Sequence, residues 1–242
     1  INLYNSFVVK METINFLDLS SEIKDIRNEV NNSITNIVNQ NNFILGKEVD
    51  YFEYNFSKYI GTNYCVGVAN GTDALEIAVN VLNLDKDSEI ITQSNTYVAT
   101  CFGITNNNVN LKLVDVDKDT LQMDLDLLEK KITSKTKAII IVHLTGSCCN
   151  MDKLMNIVNK YNLILIEDCA QSHGAKFNNR SLGTYGLIST FSFYPGKNLG
   201  AFGDGGAICT NRTDIYNKIK MIRNNGSIIK YNHKIFGRNS RL

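Results

Sequence analysis

The chain has 242 residues, 43% of them hydrophobic, and a formal charge of +1. That content suffices for a sizeable core in one large domain or two small ones, and it excludes a disordered tail. Lys and Arg are dispersed among Asp and Glu, so no field favours nucleic acid or an anionic membrane, and a small, locally recognised ligand is the expected partner.

Residues 1–10 are read as leader and given no role, because Met11 and the Glu-Thr-Ile-Asn-Phe that follows look like a natural start. They lack the charged start and long apolar centre of a secretory signal, and no apolar run in the chain approaches the ~18–20 residues of a membrane span. From Ser20 to Gln40, Ile23, Ile26, Val30, Ile34, Ile37 and Val38 recur at helical spacing, with Ser20 as the expected N-cap. A second helix, Lys47 to Tyr59, carries Val49, Phe52, Phe56 and Tyr59 on one stripe before Gly61 stops it. Both stripes read as core.

Beyond Gly61 short β-rich runs alternate with helical ones: Tyr64 to Ala69 then a helix from Thr72; Glu89 to Thr92 then a helix near Val98; Leu111 to Val114; Ala138 to Val142; Leu163 to Ile166. Near-continuous apolar strands in such alternation predict a parallel sheet covered by helices on both faces. After Gly174 the strands come closer together, Thr190 to Phe193 and Ala207 to Thr210, before a helix from Thr213 to Arg223. The expected architecture is therefore α/β, a three-layer α/β/α arrangement with a mixed, mostly parallel central sheet. With one proline, no repeat and no low-complexity tract beyond an asparagine bias, no linker is evident, and 11–242 reads as one domain.

Six cysteines, Cys65, Cys101, Cys148, Cys149, Cys169 and Cys209, contain no C-x-x-C pair and sit mostly in apolar runs, which suits reduced thiols in a cytoplasmic protein. Cys148-Cys149 has no nearby His or Cys partner, so no metal is assigned.

Two segments bear the chemistry. Ile166-Glu-Asp-Cys-Ala-Gln-Ser-His-Gly174 ends an apolar strand on a carboxylate, and Phe191-Ser-Phe-Tyr-Pro-Gly-Lys-Asn-Leu-Gly200 offers a lysine in a glycine-punctuated turn after another. An amine that forms a Schiff base and a carboxylate that keeps a pyridine nitrogen protonated are what pyridoxal phosphate requires. A third segment, Asn70-Gly-Thr-Asp-Ala-Leu75, passes from strand to helix, where free amides and the helix dipole receive a phosphate. Taken singly, these are an ordinary N-cap, a loop-capping Asp168 and a surface Lys197. A Walker A loop is excluded, since Gly196-Lys197 is followed by Asn198, and Gly200 to Gly206 lack the strand-then-helix setting of a dinucleotide fingerprint.

From about Ile14 to Leu242 these motifs, in order and spacing, resemble the DegT/DnrJ/EryC1/StrS family of nucleotide-sugar aminotransferases, which have the aspartate aminotransferase fold. The resemblance implies the large domain of that fold, with the small C-terminal domain missing. It implies that Lys197 carries pyridoxal 5'-phosphate, that Asp168 pairs with its pyridinium and that Gln171 contacts its phenolic oxygen. Gly71, Thr72 and Ser192 would hold the phosphate, Tyr97 would stack on the ring, and Asn239 would reach a neighbour's phosphate in a homodimer with a shared active site. Glutamate as donor and a nucleotide-linked ketosugar as acceptor, with a dTDP-3-keto-6-deoxyhexose as the expected sugar, complete the implied reaction. Lys197 stands where a dehydrating branch of the family has histidine. Thr145 and Asn225 depart from the family's usual tyrosine and histidine. His143 and His173 match family motifs but are assigned no acid-base role, because Lys197 is placed to move the proton. Two alternatives remain open: a catalytically incomplete fragment that only binds cofactor or dimerises, and a pyridoxal enzyme of the same fold acting on amino acids.

Overall fold

The computed structural model describes residues 14–229 and 231–242, so residues 1–10 lie outside the described residues. The chain forms two compact units, the first ending at Asn41 and the second running Asn42–Leu242. Within the first unit lies helix α1 (Ser20–Gln40). Its N-cap is Leu19 rather than Ser20; the Ser20 amide and hydroxyl instead bond Asp18 Oδ1, so the carboxylate two residues earlier takes over the expected role. Its apolar stripe is not core as expected, since Ile26, Ile34 and Val38 are exposed.

The second unit begins with α2 (Lys47–Ile60), which stops where Gly61 enters the left-handed region at φ 94°. Its strands are β1 (Tyr64–Val68), β2 (Glu89–Gln93), β3 (Asn110–Val114), β4 (Thr136–Val142), β5 (Ile164–Asp168), β6 (Lys176–Phe177), β7 (Arg180–Ser181), β8 (Ile188–Ser192) and β9 (Gly206–Thr210). The helices between them are α3 (Gly71–Asn80), α4 (Val98–Thr105), α5 (Leu125–Lys131), α6 (Met151–Lys160) and α7 (Thr213–Arg223). Seven strands form one sheet in the order β1-β9-β8-β5-β4-β2-β3, and β6 and β7 form a separate hairpin. Every neighbouring pair in the large sheet is parallel except the two made by β9, which is antiparallel to both β1 and β8. The sheet is mixed and mostly parallel.

Strand alternation makes two of the core layers. Ala138 and Ile140 of β4, Ile90 of β2 and Ile166 of β5 pack with α3, α4 and α7, while Ile139, Ile141, Ile91 and Leu165 pack with α5 and α6 on the opposite face. Helices thus cover both faces, the three-layer arrangement expected. A third cluster, Phe56 and Ile60 of α2 with Cys65, Cys169, Phe191, Phe193 and Cys209, seats α2 on β1, β8 and β9. All six cysteines are free, and burial pushes the Cys65, Cys149 and Cys169 thiols up, Cys149 to about 12.

Among the described strands of the seven-stranded sheet β9 alone runs reversed, so β1, β4, β5 and β8 all end at one edge. Register fixes what meets there: Val142 and Thr190 both pair with Asp168, while Val68 and Ser192 both pair with Gly206. The residues that follow β1, β5 and β8 are therefore brought side by side. Among the described residues no helix is long and apolar enough to cross a membrane.

Candidate active site

At the end of β1 the chain turns directly into α3. The Asn70 side chain caps the helix by accepting the Asp73 amide at 2.8 Å, and the Asn70 carbonyl accepts the Ala74 amide at 3.1 Å. The ordinary N-cap is therefore present, yet it uses only part of the helix start. Among the described residues no acceptor takes the amides of Gly71 and Thr72, as first-turn geometry requires. A Cβ on Gly71 would lie 2.7 Å from the Ser192 Cβ and 3.2 Å from its hydroxyl. Two free amides, the helix dipole and a hydroxyl so converge on one small space, a donor set suited to a phosphate.

Asp168 is the last residue of β5 and is buried. Its Oδ1 accepts the Ala170 amide at 3.1 Å, and its Oδ2 accepts the Thr100 hydroxyl at 2.9 Å. Burial raises its carboxyl above the usual range, against the pull of those two hydrogen bonds and of the His143 and Lys197 charges. A buried carboxylate held short of full compensation is suited to receive a cation.

Lys197 leaves β8 on a β-turn, Tyr194-Pro195-Gly196-Lys197, closed by the Lys197 amide on the Tyr194 carbonyl at 2.8 Å with proline at the favoured second position. The excursion from 193 to 205 is pinned at its base, where the Phe193 amide donates to Gly205 O at 2.8 Å and the Ala201 amide to Phe193 O at 2.7 Å. Half-buried, Lys197 lines a cavity of about 290 Å³ with Thr145, Gln171, Gly196 and Asn198. Gln171 Oε1 accepts the Thr145 amide at 2.9 Å, which turns the other end of its amide group, a donor, away from Thr145. Thr145 reaches this position with φ 55°, unusual for a β-branched residue. Tyr97, at the N-cap of α4 and one turn from Thr100, is 72% exposed, not a core tyrosine.

Behind Asp168, Glu167 is fully buried. It accepts the amides of Gly183, Tyr185 and Gly186, each at 2.7 Å, and His143 Nε2 at 3.0 Å. His143, Glu167 and Cys169 lie close enough together to suggest a metal, but the carboxylate is already filled by four donors and burial keeps the thiol protonated. No metal is assigned. His173 packs its ring 5.6 Å from those of Phe191 and Phe193, and burial with the Lys197 charge lowers its pKa to about 4. It is neutral at ordinary pH and not poised as an acid. Beside the Lys197 cavity, Phe52, Phe56, Tyr59, His173 and Leu199 line a more apolar recess of about 430 Å³.

The edge thus gathers Gly71, Thr72, Tyr97, Asp168, Gln171, Ser192 and Lys197. Asn239 is not among them: it is exposed, bridged to Asn224, next to Ser240, whose hydroxyl accepts the Ala69 amide at 3.2 Å. Sequence reasoning passed over Thr100 and Asn198. Thr100 stands three residues beyond Tyr97, but only the fold shows its partner.

The DegT/DnrJ/EryC1/StrS aminotransferase family model matches residues 24–242. The dTDP-3-amino-3,6-dideoxy-alpha-D-galactopyranose transaminase of Aneurinibacillus thermoaerophilus is 45% identical over 229 residues, which is 95% of this chain and 63% of that protein. The crystal structure of S. venezuelae DesV in complex with a ketimine intermediate is similar with a TM-score of 0.92 and 38% identity, covering 95% of this chain and 62% of that one. NtdA from Bacillus subtilis with bound cofactor PMP is similar with a TM-score of 0.87 and 30% identity, over 96% of this chain and 54% of that one. The chain thus spans less than two thirds of the length of these relatives.

Proposed function

This chain is a member of the DegT/DnrJ/EryC1/StrS aminotransferase family, and we propose that it serves a pyridoxal-phosphate-dependent transfer of an amino group from glutamate to a nucleotide-linked ketosugar. The single observation that carries the reading is the meeting of Lys197, Asp168 and the Gly71–Ser192 cradle at one sheet edge, an amine, a carboxylate and an anion site. When bound, pyridoxal phosphate supplies an electron sink for the donor's Cα.

The chain's own residues divide the remaining tasks. The amides of Gly71 and Thr72 and the Ser192 hydroxyl hold the phosphate. Asp168, whose ionised form its two hydrogen bonds favour against burial, would neutralise the charge on the ring nitrogen, and Gln171 would donate to the phenolic oxygen. Tyr97 covers a face of the ring. Lys197 Nζ would hold the group and, as a free amine, would be the base that takes the proton from the donor Cα onto its nitrogen. Asn239, exposed on the C-terminal segment, reaches the phosphate in a partner subunit, so the working site is shared in a homodimer. The acceptor is a dTDP-3-keto-6-deoxyhexose, by similarity to a dTDP-sugar transaminase. The six free cysteines fit a reducing cytoplasm.

Reduction of the protein with borohydride after addition of pyridoxal phosphate, followed by peptide mapping, tests the assignment. The label is expected on Lys197; label on another lysine overturns it. Glutamate-dependent conversion of the bound aldehyde to pyridoxamine phosphate, followed by absorbance, then separates turnover from cofactor binding alone. A screen of ketosugar nucleotides identifies the acceptor.

A further inference from the structure

Thr100 is assigned no part in the reading above, yet its contact with Asp168 is specific. Asp168 Oδ2 accepts the Thr100 hydroxyl at 2.9 Å, and Thr100 is 1% exposed, so bulk water does not compete for the bond. The Thr100 oxygen lies 2.7 Å from Thr96 Oγ1. An ionised carboxylate only accepts, so the Thr100 hydrogen is committed to Asp168, and the hydrogen between the two threonines belongs to Thr96. Thr96 also lies 3.3 Å from the Tyr97 carbonyl, a longer alternative acceptor for the same hydrogen. The two hydroxyls so form a directed chain ending on Asp168, each bond polarising the next.

We propose that Thr100, backed by Thr96, is a positioning residue that keeps the Asp168 carboxylate ionised and fixes the orientation in which it meets a cationic ring nitrogen. The inference rests on the reading of Asp168 given under the proposed function. Burial works against the ionised form, and four influences oppose it: the Ala170 amide, the Thr100 hydroxyl, and the charges of His143 at the end of β4 and Lys197 on the loop after β8. Of these, only Thr100 is an uncharged side chain that a substitution removes without altering the charges around the site. Its helix start also carries Tyr97, so α4 sets both the partner of Asp168 and the aromatic residue of the site.

The test compares Thr100→Val, Thr100→Ala and Thr100→Ser with the wild-type protein. The carboxyl resonance of Asp168, identified by its loss in Asp168→Asn, is titrated by carbon NMR in the cofactor-free protein. Its midpoint is expected to move up in the valine and alanine variants and to return toward wild type in the serine variant. Affinity for pyridoxal phosphate, measured by fluorescence, is expected to weaken about tenfold or more in the valine variant, the usual effect of losing one hydrogen bond to a charged group. The deficit should grow as pH falls. Thr100→Ala, which adds no bulk, supplies the comparison if the valine variant does not fold. Unmoved midpoints in both variants, or a serine variant displaced as far as valine, overturn the inference. A wild-type protein that takes up no pyridoxal phosphate overturns the reading of the site itself, whatever the titration gives.

Discussion

Replacing Glu167 with glutamine removes a charge from the centre of the second unit while keeping the side chain's shape, and the structure sets what that should cost. One oxygen accepts the amides of Tyr185 and Gly186, and the other accepts the Gly183 amide and His143 Nε2. A glutamine keeps one acceptor and presents an NH2 group to the other pair. Facing Tyr185 and Gly186, it would orphan two buried amides. Facing Gly183 and His143 is cheaper, because a histidine left with its hydrogen on Nδ1 alone can accept at Nε2, although that Nδ1 is buried without a partner. Even that arrangement orphans one amide and turns the remaining charge-assisted bonds into neutral ones, a total of about 3–4 kcal/mol. Urea unfolding reads this directly, and a thermal melt should fall by roughly 6–16 °C for a unit of this size. Because residues 183–186 are tied to the strand that ends in Asp168, amide exchange at Gly183, Tyr185 and Gly186 should quicken in the same variant. A loss below about 1 kcal/mol would mean that Glu167 does not hold the loop as described.

Three further outcomes test the site separately. Burial holds the Asp168 carboxyl above its unfolded pKa, so the ionised group costs stability above the folded pKa and nothing below the unfolded one. Cofactor-free Asp168→Asn should therefore unfold at higher urea than wild type at neutral pH, with an advantage that shrinks as pH falls; a variant less stable at neutral pH contradicts this. In Gly71→Ala the new Cβ would stand 2.7 Å from that of Ser192, well inside the ~3.5–4.0 Å of ordinary carbon contact, so the helix start must move away. Affinity for pyridoxal phosphate should drop about tenfold or more while affinity for pyridoxal, which lacks the phosphate, changes little; equal losses would remove the cradle from the argument. Thr145→Gly keeps the amide that holds Gln171 and relieves a left-handed β-branched residue, so stability should rise by up to about 1 kcal/mol in urea unfolding, and a loss of that size would refute the strain.

The strand-end motifs were legible because their chemistry is local: Asp168 ends an apolar run, and Gly71 opens a helix. Contacts between segments were not. Thr100 meets Asp168 across 68 residues, and no periodicity announces a hydroxyl that will face a carboxylate. Helix α6 falls between Val142 and Leu163, where the sequence reading names no helix, although Asn150 caps it through the Lys153 amide and Met151, Leu154, Ile157 and Val158 recur at helical spacing; among so many asparagines a capping one does not stand out. The same bias explains how a chain with one proline punctuates itself, since Asn41, Asn83, Asn108 and Asn162 enter the left-handed region just after α1, α3, α4 and α6. One change of pattern was legible and carries functional weight, the closer spacing of strands after Gly174. A parallel successor to β8 would have needed a crossover to the opposite edge, drawing the chain away from the site. Because β9 runs antiparallel, the chain leaves β8 and re-enters the sheet at one edge, and the loop between them brings Lys197 into a cavity with Gln171, three residues beyond Asp168 at the end of β5.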